Sequence, residues 1–161
     1  MTKHYSDGQE LSAKILSGIN KLADNVATTL GPKGRNVILF HKEQGIPVVT
    51  KDGVTVAKFV EFDDPIENVG AQIVKQAAEQ SATKAGDGTT TATVLTRAIL
   101  RESQKYLTAG VSPIEIKRGM DKATSLIVER LKEMATPIRS EEDIRHIATI
   151  SANNDKSIGT L

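Results

Sequence analysis

Ala85-Gly86-Asp87-Gly88-Thr89-Thr90-Thr91-Ala92-Thr93-Val94-Leu95 is the stretch on which the reading of this chain turns. Two glycines flank an acid and let the backbone approach a ligand closely. Thr91, Leu95, Ala98 and Glu102 recur at helical spacing, so a helix begins inside the hydroxyl run. The first turn of a helix has amide donors without intrahelical partners and the positive end of a dipole, and both suit phosphate oxygens. Asp87 suits a magnesium ion that offsets the phosphate charge.

The same residues also describe a plain junction, in which Gly86 ends one helix, Asp87 caps the next and the threonines start it. Threonine density weighs against that: positions 89, 90, 91, 93 and 96 hold β-branched residues where stability alone favours Ala, Glu or Lys. Neither familiar nucleotide fingerprint is present. There is no Gly-x-x-x-x-Gly-Lys-Ser/Thr, and the third glycine of a dinucleotide turn is missing.

Working outward, Leu11, Ile15, Ile19, Leu22, Val26 and Leu30 draw one stripe along a helix that Gly31-Pro32 stops. Val37-Ile38-Leu39-Phe40 and Ile46-Pro47-Val48-Val49-Thr50 read as a β-hairpin across a polar turn. A uniformly apolar first strand is odd in a two-stranded ribbon and implies packing on something else. Lys51-Asp52-Gly53 reads as a turn that holds a carboxylate at the end of a strand, and an ordinary Asp-Gly turn fits equally. Asp64-Pro65-Ile66-Glu67 starts a helix whose stripe is Ile66, Val69, Ile73, Ala77 and Ser81, running to the Gly86 break. Ser112-Pro113-Ile114-Glu115 starts another, with an apolar face of Ile116, Met120, Ala123, Ile127, Leu131 and Met134. Thr136-Pro137 interrupts, and Ser140-Glu141-Glu142-Asp143 opens a shorter helix to about Ile150.

Composition narrows the function. A formal net charge of +1 without basic runs argues against nucleic-acid and membrane partners. With no cysteine there is no thiolate chemistry, and His4, His41 and His146 lack ligand spacing. The N-terminus carries no export core and no apolar run reaches spanning length, so a soluble, cytoplasmic protein is expected. Aromatics make up only 3% of residues, which leaves the core to aliphatic side chains on long helices.

Thr29-Leu30-Gly31-Pro32-Lys33-Gly34-Arg35-Asn36, Thr50-Lys51-Asp52-Gly53-Val54, the Ala85 to Leu95 stretch and Ile150-Ser151-Ala152-Asn153 together resemble the group I chaperonins of GroEL type, in that family's order and near its spacing. The resemblance covers the whole chain. It implies a mainly α fold: residues 1–135 as the N-terminal part of an equatorial ATP-binding domain with a small β-hairpin, and 136–161 as the beginning of the intermediate domain, with the apical domain absent. It implies that Thr29, Leu30, Gly31 and Pro32 line the nucleotide, and that Lys51 contributes its backbone near the phosphates and a potassium ion. Gly86, Asp87, Gly88, Thr89, Thr90 and Thr91 would form the phosphate loop, with Asp87 on magnesium. Asp52 would position or activate the attacking water. The family's second hydrolytic acid is missing from these residues. Implied partners are further copies in a double ring, a GroES-type co-chaperonin lid and unfolded polypeptides, the last two through absent domains. The alternative is a truncated, non-catalytic nucleotide-binding or subunit-interaction module.

Overall fold

A computed structural model describes residues 7–31, 33–41, 45–152 and 154–161. Pro32, Asn153 and His4 lie outside the described residues. The described residues form seven helices and one two-stranded sheet, as the mainly α expectation required. The chain divides into two compact units, Met1–Ala109 and Gly110–Leu161.

In the first unit, α1 (Gly8–Ala27) and α3 (Pro65–Ala85) pack against each other, with α4 (Thr89–Thr108) and the short α2 (Gly53–Phe59) against both. The approach of α1 to α3 rests on two glycines. A Cβ on Gly18 would overlap the Glu67 carbonyl, and one on Gly70 would overlap the Ile15 carbonyl. Backbone therefore meets backbone at two points, one on each helix. The core gathers Ile19, Leu22 and Val26 of α1, Val56 and Ala57 of α2, and Ala71 and Val74 of α3, with Leu39 from the hairpin.

The α1 stripe is buried as expected at Ile19, Leu22 and Val26, but the helix ends at Ala27 and leaves Leu30 beyond it, exposed. The α3 stripe is corrected. Its buried face is Gly70, Ala71, Val74, Lys75 and Ala78, while Val69 and Ile73 are exposed. Close helix approach selects small side chains, so the contact face follows size rather than hydrophobicity. Glu67 also departs from a capping role: its carboxylate receives Ser17 Oγ at 2.8 Å and Lys21 Nζ at 2.7 Å, both from α1.

The hairpin pairs β1 (Val37–Phe40) with β2 (Pro47–Thr50) antiparallel, Ile38 opposite Val49 and Leu39 opposite Val48. Leu39 turns into the core, whereas Ile38, Phe40, Val48 and Val49 are each at least half exposed. The segment after β2 turns at once into α2, where the sequence suggested only a turn.

The second unit holds α5 (Pro113–Met134), α6 (Glu141–Ser151) and α7 (Lys156–Thr160). Ser140 and Asp143 form a reciprocal capping box at the start of α6. Gly159 of α7 lies against Thr149 of α6, where no Cβ would fit. No residue of α5 is buried, and Ile127, Leu131 and Met134 of its apolar face are more than half exposed.

Candidate functional site

The junction between α3 and α4 is built from two left-handed glycines. Gly86 ends α3 at φ 72°, its N–H donating to Ala82 O at 3.0 Å, and Gly88 precedes α4 at φ 81°. L-residues with a Cβ are disfavoured at such angles, so both positions need glycine. Nothing lies within 4 Å of a Cβ built on Gly86, which leaves open space above the turn. Asp87 is exposed between them. Its carboxylate accepts from Gly88 N–H at 2.6 Å, and its carbonyl accepts from Ser81 Oγ at 2.9 Å.

Gly88 has no side chain to cap α4, so its N-cap position supplies no acceptor to the amides of the first turn. Thr93 is fully buried and donates back to the Thr89 carbonyl at 2.9 Å, and Thr89 is itself buried. Thr90 is half-buried and Thr91 exposed. The inward face of this turn is thus hydroxyl-bearing rather than aliphatic.

Two other segments reach the same turn. Thr29, just past the end of α1, donates its hydroxyl to Val26 O at 2.8 Å and meets Thr90 Oγ1 at 3.3 Å. Gly53 lies so close to Thr90 that a Cβ there would overlap the Thr90 hydroxyl. Thr29, Gly53 and Thr90, far apart in the chain, therefore converge on the start of α4. Gly31 adopts φ 69° and accepts from Gly34 N–H at 2.9 Å, closing the turn after Thr29. Leu30 is exposed and Lys51 half-buried, and neither makes a hydrogen bond to the cradle among the described residues.

Asp52 caps α2. Its carboxylate accepts from Val54 N–H at 3.3 Å, Thr55 N–H at 2.9 Å and Thr55 Oγ1 at 2.6 Å. Partial burial pushes the carboxyl up, but the Thr55 hydroxyl, the two amides and the Lys58 charge together outweigh it and hold the group below the usual carboxylate range. Asp52 is therefore ionised at neutral pH and is a weak base. A carboxylate has about four lone-pair positions, so one remains beyond these three bonds.

This arrangement fits a magnesium-bound phosphate chain. Magnesium binds through one or two carboxylates with the remaining positions from phosphate and water, and Asp87 is the carboxylate in the turn. Among the described residues no group of three His, Cys, Asp or Glu side chains converges, as an all-protein metal cage would need.

Residues 22–160 match the model of the TCP-1/cpn60 chaperonin family. The chain belongs to that family. Among solved structures, the crystal structure of the chaperonin gp146 from bacteriophage EL 2 (Pseudomonas aeruginosa), determined in the presence of ATP-BeFx, superposes with a TM-score of 0.78 at 25% identity. The match covers 95% of this chaperonin chain and 27% of the phage protein, so the chain spans about a quarter of that relative's length. Among the described residues, no helix is long and apolar enough to cross a membrane.

Sequence reasoning missed several residues that build the site. Gly53 was read as part of a turn, though its place beside Thr90 needs the fold. Thr93 was visible as the partner of Thr89 at i, i+4, a spacing that brings its hydroxyl to the Thr89 carbonyl. Ser81 stood in the sequence only as the last member of the α3 stripe, and Thr55 carried no signal beyond its type.

Proposed function

We propose that this chain is part of an ATP-dependent chaperonin subunit of the cytoplasm, which binds Mg-ATP through the Gly86 to Thr91 loop and hydrolyses it to drive assisted protein folding. The carrying observation is the convergence of Thr29, the Asp52-Gly53 turn and Thr90 on one helix start without a side-chain cap. In this reading the first-turn amides and the hydroxyls of Thr90 and Thr91 hold phosphate oxygens, while buried Thr89 serves through its amide. Magnesium on Asp87 would neutralise phosphate charge when bound. Asp52, held ionised and fixed by three bonds, orients the attacking water by charge rather than by taking its proton. Orientation and charge neutralisation supply most of the barrier lowering in phosphoryl transfer. In this reading Leu30, Gly31 and Pro32 would border the nucleotide, and Lys51 would contribute its backbone near the phosphates and a potassium ion.

The same reading divides the chain into an equatorial part, 1–135, and the beginning of an intermediate domain, 136–161. The exposed Ile38, Phe40, Val48 and Val49 side chains support pairing of the hairpin with a neighbouring subunit of a double ring. Unfolded polypeptide and the co-chaperonin lid would meet other parts of the longer protein. Those exposed strands equally favour the second reading, a non-catalytic interaction module.

Steady-state ATPase assays on the full-length protein part the two. Asp87→Ala is expected to weaken both nucleotide binding and turnover, and Asp52→Ala to lower turnover about 100-fold with binding nearly intact. Unchanged turnover in both variants defeats the assignment of roles. An assembled ring without hydrolysis selects the module.

A further inference from the structure

Lys75 is a buried cation that the reading above leaves unused. It lies on the inward face of α3 beside Ala71, Val74 and Ala78 and is 6% exposed. Lysine is seldom buried so far unless its ammonium finds a partner. Its hydrogen bond among the described residues runs to the carbonyl oxygen of Lys58, at 3.2 Å. Lys58 belongs to the last turn of α2, where carbonyls lack intrahelical partners and the helix dipole is negative.

The other end of α2 is Asp52. A helix of seven residues does not hold itself together in water, so its position is set by what grips it. Val56 and Ala57 are buried in the core, Asp52 caps the first turn, and Lys75 takes hold of the last. At about 1.5 Å rise per residue the two ends stand roughly 10 Å apart, so displacement at one is carried to the other. An apolar side chain would fill the same space without the cost of burying a charge. Stability alone therefore does not account for a lysine.

We infer that Lys75 is a positioning residue, which fixes Asp52 against the start of α4 by anchoring the far end of α2. The inference rests on Asp52 orienting water in the proposed hydrolysis. Its test uses the full-length protein with Lys75→Met and Lys75→Arg. In Lys75→Met, single-turnover hydrolysis is expected to slow about tenfold while ADP affinity stays within about twofold. Lys75→Arg, which keeps a charged donor, is expected to recover to within about threefold of the original rate. Hydrogen exchange is expected to speed up in residues 54–60 of Lys75→Met, with α1 and α3 still protected.

Normal hydrolysis in Lys75→Met overturns the inference, as does an arginine variant no better than methionine. Protection lost across α1, α3 and α4 alike also overturns it, since Lys75 would then be an ordinary part of the core. Asp52→Ala is measured alongside. Unchanged hydrolysis there removes the water-orienting role and this inference with it, whereas slow Asp52→Ala beside normal Lys75→Met removes this inference alone.

Discussion

α3 and α4 follow each other, at 21 and 20 residues, yet they begin in opposite ways. α3 opens with Asp64, whose carboxylate accepts from the amides of Ile66 at 2.8 Å and Glu67 at 3.2 Å and receives Lys14 Nζ at 3.0 Å, followed by a proline. α4 opens with a left-handed glycine and three threonines, and its N-cap residue, Gly88, makes no side-chain cap bond. Glycine at an N-cap costs only about a few tenths of a kcal/mol relative to a capping side chain, so the second helix gives up little stability by starting this way. In the function proposed above, the first start serves folding alone, whereas the second leaves its amides for a phosphate.

The largest expected effect lies on the α3 side. Gly70→Val places a branched side chain where the Ile15 carbonyl stands, and α1 must move away. A loss of about 3 kcal/mol or more is expected in chemical denaturation, and a loss below about 1 kcal/mol would show that the two helices are not in backbone contact.

A paired substitution sharpens the contrast. Asp64→Ala is expected to cost about 1–2 kcal/mol in stability and to leave nucleotide affinity unchanged. Gly88→Ala is expected to cost about 1 kcal/mol through strain at φ 81° and to lower ATP affinity about tenfold. Isothermal titration beside thermal unfolding reads both. Equal effects on affinity from the two variants would erase the distinction.

The smallest effect is on acid stability. The Lys14 bond, with the Ile66 and Glu67 amides, holds Asp64 below its ordinary 3.8, and the Lys21 and Ser17 bonds hold Glu67 below its ordinary 4.5. Both folded values are depressed, so their contribution is present above the unfolded values and lost as the pH falls through the folded ones. The double variant Asp64→Asn, Glu67→Gln is expected to flatten the stability profile below about pH 4.5, the ordinary value of Glu67. An unchanged acid limb would mean that these contacts are made in the unfolded chain as well.

Much of this organisation was legible in the residues because it is local. Asp64-Pro65 and Ser112-Pro113 announce helix starts by backbone chemistry alone, and the Gly86-Asp87-Gly88 turn needs its glycines whatever surrounds it. α2 escaped because Val54-Thr55-Val56 has strand propensity, and its helix depends on the Asp52 cap, burial of Val56 and Ala57, and Lys75 from another helix. The α3 face was misplaced for a related reason: Ile73 is the more hydrophobic residue, but only Gly70 and Ala71 let α1 come close. Spacing along one helix cannot report the neighbour's distance. Thr29 and Thr90 could be named from motif order, whereas their contact and the approach of Gly53 to Thr90 belong to the fold.

Thr29 has one hydroxyl proton and gives it to Val26 O, so the proton in the 3.3 Å contact with Thr90 must come from Thr90. That single proton is the one a phosphate oxygen would also seek. In the proposed function, a nucleotide that took it would leave Thr29 without its donor, and the end of α1 would register the ligand as a latch released.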